Sequence, residues 1–177
     1  MKRRTFVKNT AIVSSAAILS PRIVFGSKAN SVIRMGIIGC GNRGTSVIST
    51  MSKNTNIHII AMADIFDSQL QTAEVKFNKL NADKGFPAIA KSNIYQGSKA
   101  YLKLLENKSL DAVLISSPAY THPEFLIAAI AAGKHIYCEK PAAIDVEGCR
   151  QIELAGKSID GKLSVAIGFE IRYATPY

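Results

Sequence analysis

Three short clusters in this chain carry residue types that could do chemistry. Gly39-Cys40-Gly41-Asn42-Arg43-Gly44 has the spacing G-x-G-x-x-G, Ser117-Pro118 is followed by His122, and Glu139-Lys140-Pro141 follows a short apolar run. A glycine turn opening a helix brings backbone N–H groups and the positive end of a helix dipole to a phosphate. A lysine beside a glutamate can donate a proton to a substrate oxygen or polarise it.

Context strengthens the first cluster. It follows the β-branched run Val32–Ile38, and Asp64 stands 20 residues after Gly44, at the end of a second run, Ile57–Ala63. That arrangement is the dinucleotide-binding fingerprint. Gly39 would allow the tight turn, Gly41 the close approach of a pyrophosphate, and Gly44 the contact between helix and strand. Asp64 would accept hydrogen bonds from the adenosine ribose hydroxyls. A 2′-phosphate there would meet a carboxylate, so NAD is expected over NADP. Arg43 stays open: its guanidinium can sit on adenine or meet a phosphate. The plainer alternatives are a glycine turn serving packing alone and an aspartate that merely opens a helix.

The elements needed to hold these clusters are legible as alternating strands and helices. Ala112–Ile115 is continuously apolar, as in a strand covered on both faces. His135–Cys138 and Leu163–Ile167 read as further strands, and Ala88–Tyr95 as a weak one. Leu70, Ala73, Phe77 and Leu80 recur at helical spacing after an expected N-cap at Asp67. Tyr101–Leu105 reads as a shorter helix. Thr121-His122-Pro123-Glu124 reads as a capping box whose helix ends at Gly133, and Val146, Cys149 and Ile152 mark the last helix. Strand–helix alternation with short loops predicts an α/β fold, a Rossmann-type doubly wound parallel sheet. Ser117-Pro118 and Glu139-Lys140 then lie at the carboxyl ends of strands, where such sheets bind ligands.

Composition excludes several classes. The chain has 177 residues, 47% hydrophobic and 20% charged, proportions of a globular core rather than of disorder or coiled coil. Its net charge of +9 comes mostly from residues 1–30, which carry six bases and no acid, leaving +3 for the rest. A nucleic-acid partner therefore loses its main support. Cys40, Cys138 and Cys149 are an odd number without metal-type spacing and read as buried or incidental thiols. No run reaches the roughly 18 apolar residues of a membrane span.

Residues 1–29 read as a targeting segment, with a basic start, the weakly apolar stretch Ala11–Ser20 and the small residues Ser27 and Ala29 before a cleavage point. Arg3-Arg4-Thr5-Phe6-Val7-Lys8 resembles a twin-arginine export signal. That resemblance implies the twin-arginine machinery as a partner, a periplasmic location, and no stable membrane insertion after processing. Residues 30–168 are then expected to form the dinucleotide-binding domain.

Gly36–Gly44, Ser117-Pro118-x-x-x-His122, Ala132-Gly133-Lys134-His135 and Glu139-Lys140-Pro141 together resemble the N-terminal domain of the Gfo/Idh/MocA oxidoreductases, over about Val32 to Tyr173. The resemblance implies NAD as cofactor and a sugar or polyol as substrate. Lys140 would be the catalytic lysine near nicotinamide and sugar, Glu139 would contact the nicotinamide ribose region, and His122 would line the cofactor cleft. On the residues alone, His122 can equally be a packed or capping residue, Lys140 a solvated loop charge and Glu139 its counter-charge. Members carry a second, α+β domain that supplies the substrate pocket and through which they associate, so residues 169–177 are expected to begin a truncated copy of it. The alternatives are an NAD-dependent glycosidase acting on N-acetylgalactosaminides, with oxidation, elimination and re-reduction, and a non-catalytic nucleotide-binding fragment.

Overall fold

A computed structural model describes residues 32–159 and 161–169. The targeting segment and the start of the expected second domain lie outside them, apart from Phe169. Six strands form one parallel sheet: β1 (Ile33–Ile38), β2 (Ile57–Asp64), β3 (Ile94–Gln96), β4 (Ala112–Ile115), β5 (His135–Cys138) and β6 (Val165–Ile167). Their spatial order is β3-β2-β1-β4-β5-β6. Five helices connect them: α1 (Asn42–Asn54), α2 (Asp67–Ala82), α3 (Ala100–Leu105), α4 (His122–Ala131) and α5 (Val146–Lys157).

The helices cover both faces of the sheet, as the sequence pattern predicts. On one face Ile37, Ile59, Met62 and Leu114 pack with Ile48 of α1 and with Leu70, Ala73 and Phe77 of α2. On the other Ile38, Val113, Ile115 and Ile136 pack with Leu104 of α3 and with Leu126 and Ala129 of α4. Successive strand residues point to opposite faces, so a run such as Val113-Leu114-Ile115 feeds both cores. The chain leaves β1 toward β2 on one side and, later, enters β4 on the other. The loops after β1 and β4 therefore diverge and leave a crevice at the carboxyl ends of the strands.

Several local expectations change. Helix α2 begins at Asp67 itself, and its N-cap is Phe66, with no side-chain cap; the Asp67 carboxylate instead accepts from Gln71 Nε2 at 2.6 Å. The capping box does not form. Thr121 is already helical, at the end of a 3-10 turn over Ala119–Thr121. Its hydroxyl turns back to donate to Pro118 O at 2.8 Å. Glu124 in turn pairs with Lys99 at 3.1 Å and accepts the Tyr101 hydroxyl. Gly133 does end α4 in the left-handed region, at φ +68°. From the expected strand Ala88–Tyr95 only β3 pairs into the sheet, because Lys91–Asn93 forms a 3-10 turn. The last strand likewise contracts to β6. Helix α5 starts on a side-chain cap, Asp145 Oδ1 accepting from Gly148 N–H at 2.7 Å; Gly148 is its buried residue, while Val146 and Cys149 are exposed. All three cysteines are free.

Candidate functional site

The fingerprint glycines have three distinct physical roles. Gly39 turns the chain at φ +93°, and a Cβ there would lie 2.6 Å from the Ser116 backbone at the end of β4. A Cβ on Gly44 would lie 2.1 Å from Gly39 O, so the first turn of α1 closes onto the loop only without a side chain. At Gly41 a Cβ would meet nothing within 4 Å. The structure thus leaves open space where a pyrophosphate would approach. The first intrahelical bond of α1 runs from Thr45 N–H to Gly41 O at 3.0 Å. Amides of the preceding turn have no acceptor within the helix and face the loop end.

Asp64, the last residue of β2, is held by two backbone amides. Cys40 N–H donates to Oδ2 at 2.7 Å and Phe66 N–H to Oδ1 at 2.9 Å. Each carboxylate oxygen keeps a further lone pair for a hydroxyl donor. The Cys40 thiol lies beneath this loop, and burial, with the Asp64 charge adding to it, pushes its proton affinity far above the ordinary thiol range. It is an inert packing group.

A cavity of about 260 Å³ opens beside Asp64. Gly39, Gly41, Asp64, Ser117 and Pro118 line it, as do Phe66, Tyr101, Tyr120 and Phe125. Tyr101 and Phe125 are stacked, with ring centroids 4.0 Å apart. These aromatic walls were not singled out from the sequence, where each reads as an ordinary helix or loop residue. Their signal lies in strand order, which brings α3, α4 and the loops after β2 and β4 to one place.

The remaining candidates lie outside that cavity. Asn42 is exposed on the first turn of α1. Arg43 Nε lies 3.1 Å from Glu139 Oε2, and the glutamate side chain is only 5% exposed. Lys140 is exposed on the loop after β5. His122 is buried, with Nδ1 2.7 Å from Pro141 O and Nε2 2.9 Å from Ser117 O. It ties the loop after β4 to the loop after β5. None of Asn42, Arg43, Gly44, His122, Glu139 and Lys140 lines the cavity beside Asp64. Burial and the neighbouring Glu139 push the Cys138 thiol up to about 12. Among the described residues no group of three His, Cys, Asp or Glu side chains could hold a metal ion, and no helix is long and apolar enough to cross a membrane.

A parallel sheet with this strand order, a phosphate-competent glycine turn and an acidic residue closing β2 define a dinucleotide-binding fold. Residues 33–167 match GFO_IDH_MocA, described as "Oxidoreductase family, NAD-binding Rossmann fold", and the chain belongs to that family. An inositol 2-dehydrogenase of Pseudomonas fluorescens is 35% identical over 147 residues, 82% of this chain and 39% of that protein. A glycosyl hydrolase family 109 protein of Stenotrophomonas maltophilia is 30% identical over 149 residues, covering 83% of this chain and 31% of the other. Among solved structures, the myo-inositol dehydrogenase of Lactobacillus casei in complex with NAD(H) and myo-inositol is 26% identical with a TM-score of 0.62, covering 81% and 38% of the two chains. The chain therefore spans about 39% of the length of the dehydrogenases it matches. The open approach at Gly41, the oriented Asp64 carboxylate and the aromatic cavity fit NAD, the cofactor of the family.

Proposed function

We propose that this chain forms the cofactor site of an NAD-dependent oxidoreductase acting on a hydroxyl of a sugar or cyclic polyol. The observation that carries the reading is the doubly anchored Asp64 carboxylate at the rim of an aromatic cavity, with open space at Gly41 beside it. In this reading Asp64 takes the adenosine ribose, and the first turn of α1 takes the diphosphate. Ser117 and Pro118 form the wall of the cleft, and His122 braces that wall from behind. Bound NAD supplies a two-electron acceptor. Lys140, exposed on the loop after β5, holds the substrate oxygen and exchanges its proton, while Glu139 accepts from the nicotinamide-ribose region. The inositol dehydrogenases among the relatives support the polyol class of substrate.

Titration of the 177-residue chain with NAD and NADP tests the site. NAD should bind at least tenfold tighter, a difference of about 1.4 kcal/mol; equal affinities would defeat the reading of Asp64. A panel of inositols and sugars, given to the protein that carries this domain, tests the chemistry through nicotinamide absorbance.

The glycosyl hydrolase family 109 relative supports a second reading, a glycosidase that uses bound NAD without net redox change. Release of N-acetylgalactosamine from a galactosaminide, with no net absorbance change, would select it. We further propose export by the twin-arginine route into the periplasm, supported by Arg3-Arg4-Thr5-Phe6-Val7-Lys8. Replacing Arg3 and Arg4 with Lys should hold the protein in the cytoplasm, and an undiminished periplasmic yield would refute the route.

A further inference from the structure

Glu139 is a buried carboxylate. Its side chain is 5% exposed, and Arg43, itself 46% exposed, holds Oε2 with Nε at 3.1 Å. Oε1 is buried without a hydrogen-bond partner. Its surroundings are built to admit it. A Cβ on Gly168, just after β6, would lie 3.1 Å from Oε1 and 2.7 Å from the Tyr137 hydroxyl oxygen, so the glycine leaves both side-chain ends room without a shift. The Glu139 backbone is pinned as well, its N–H donating to Ile115 O at 2.9 Å.

A carboxylate withdrawn from water is costly unless it is paired and its lone pairs are used. Arg43 supplies the pairing here, and it does so from the first turn of α1, one residue before Gly44 of the fingerprint. One acceptor, Oε1, stays unfilled. A buried polar atom without a partner marks a group completed by something else, such as a ligand donor.

We propose that Arg43 is a positioning residue that acts through Glu139 on the nicotinamide half of the cofactor, and that it contacts neither adenine nor diphosphate. By holding Oε2 it fixes Oε1 as an acceptor for a cofactor hydroxyl and sets the backbone that carries Lys140. The glycine turn and the lysine loop are thereby one mechanical unit. This inference rests on the reading of Glu139 and Lys140 given under the proposed function.

The test compares Arg43→Gln, Arg43→Lys, Glu139→Gln and the Arg43→Gln/Glu139→Gln double variant of the 177-residue chain. Calorimetric affinities for NAD and for ADP, which lacks the nicotinamide half, are measured beside amide hydrogen exchange at Glu139 without cofactor. Arg43 is half exposed, so its replacement should leave the melting transition cooperative. Arg43→Gln should weaken NAD about tenfold, leave ADP within about twofold, and speed exchange at the Glu139 amide. Glu139→Gln should weaken NAD similarly, the double variant should be no weaker than the worse single one, and Arg43→Lys should recover part of the loss.

Equal weakening of NAD and ADP by Arg43→Gln would place the guanidinium on the diphosphate and overturn the proposal. Unchanged NAD affinity, unchanged Glu139 exchange, or additive losses in the double variant would overturn it too. Failure of the underlying reading looks different. The unmodified chain would then bind NAD no tighter than ADP, and Glu139 exchange alone would decide whether Arg43 holds the carboxylate.

Discussion

The amide of Cys40 donates to Asp64 Oδ2 at 2.7 Å, joining the glycine turn to the tip of the neighbouring strand. This bond couples the turn's shape to the carboxylate's aim. Phe66 N–H completes the clamp on Oδ1. Asp64→Ala should remove both contacts together with the proposed ribose acceptor. Hydrogen bonds to a charged group are worth about 1.5–3 kcal/mol, so NAD affinity should fall at least tenfold. NADP, which gains nothing from the carboxylate, should lose less, and the preference between the two should narrow. Calorimetric titration with both dinucleotides checks this; a loss shared equally by the two would mean that Asp64 shapes the loop without reading the ribose.

Gly41 and Gly44 should separate binding from folding. Gly44→Ala places a methyl 2.1 Å from the Gly39 carbonyl oxygen, a backbone atom that cannot rotate away. Overpacking of this kind costs about 2 kcal/mol or more, seen as a fall of several degrees in melting temperature. Gly41 sits at φ −69°, a backbone conformation open to any residue, and faces empty space. Gly41→Ala should hold or slightly raise the melting temperature, because it narrows the unfolded ensemble. Its methyl would stand where the pyrophosphate approaches, so NAD affinity should fall at least tenfold. Thermal melts with and without NAD distinguish the two; a Gly41→Ala chain that binds normally would place the pyrophosphate elsewhere.

How much of this was legible depended on whether the cause was local. Ala112–Ile115 reads as a buried strand because both its faces are covered, and α2 shows its inner face in Leu70, Ala73 and Phe77. Gly39 and Gly44 were legible because the turn that holds them is contiguous with β1, and Asp64 because it closes β2 at the spacing of the fingerprint. The Thr121–Glu124 capping box misled because a four-residue pattern cannot register competing partners, here Pro118 O for the threonine hydroxyl and Tyr101 for the glutamate. The aromatic cavity wall was invisible for a related reason. Tyr101 and Phe125 meet only because α3 and α4 cover the same face of the sheet, and each alone resembles core. The Arg43–Glu139 pair spans two distant segments, and no local pattern announces it.

His58 gives a pH dependence with a definite sign. It stacks on Phe86 with centroids 4.8 Å apart, and burial lowers its proton affinity below the ordinary value of 6.5, opposed by the nearby Pro87 carbonyl. Below about pH 6.5 the unfolded chain therefore takes up a proton that the folded chain resists. With more protons bound to the unfolded state, stability falls as pH drops through this window. Melting temperatures from pH 8 to pH 5 should show the decline, and His58→Gln should flatten it while leaving the pH 8 slope unchanged. An identical decline in the variant would assign the effect to other groups.

Lys140 carries the chemical step in the proposed reaction, and its position predicts a clean separation of binding from turnover. Its side chain is exposed on the loop after β5, while its neighbour Glu139 is buried and anchored at both its backbone and its carboxylate. Replacing the lysine should therefore leave the loop in place. In the protein that carries this domain, Lys140→Met should keep NAD affinity within about twofold, because the proposed diphosphate and adenosine contacts are at Gly41 and Asp64. Turnover of a cyclic polyol should fall by about 10²–10⁴, the usual contribution of a positioned acid–base group. Lys140→Arg should not restore it, since a guanidinium keeps its proton throughout the working pH range and cannot act as a base. Steady-state rates with saturating NAD, beside binding isotherms for the same variants, give both numbers. If Lys140→Met turns over normally, proton transfer belongs to another residue, and Lys140 is only a solvated charge at the mouth of the site.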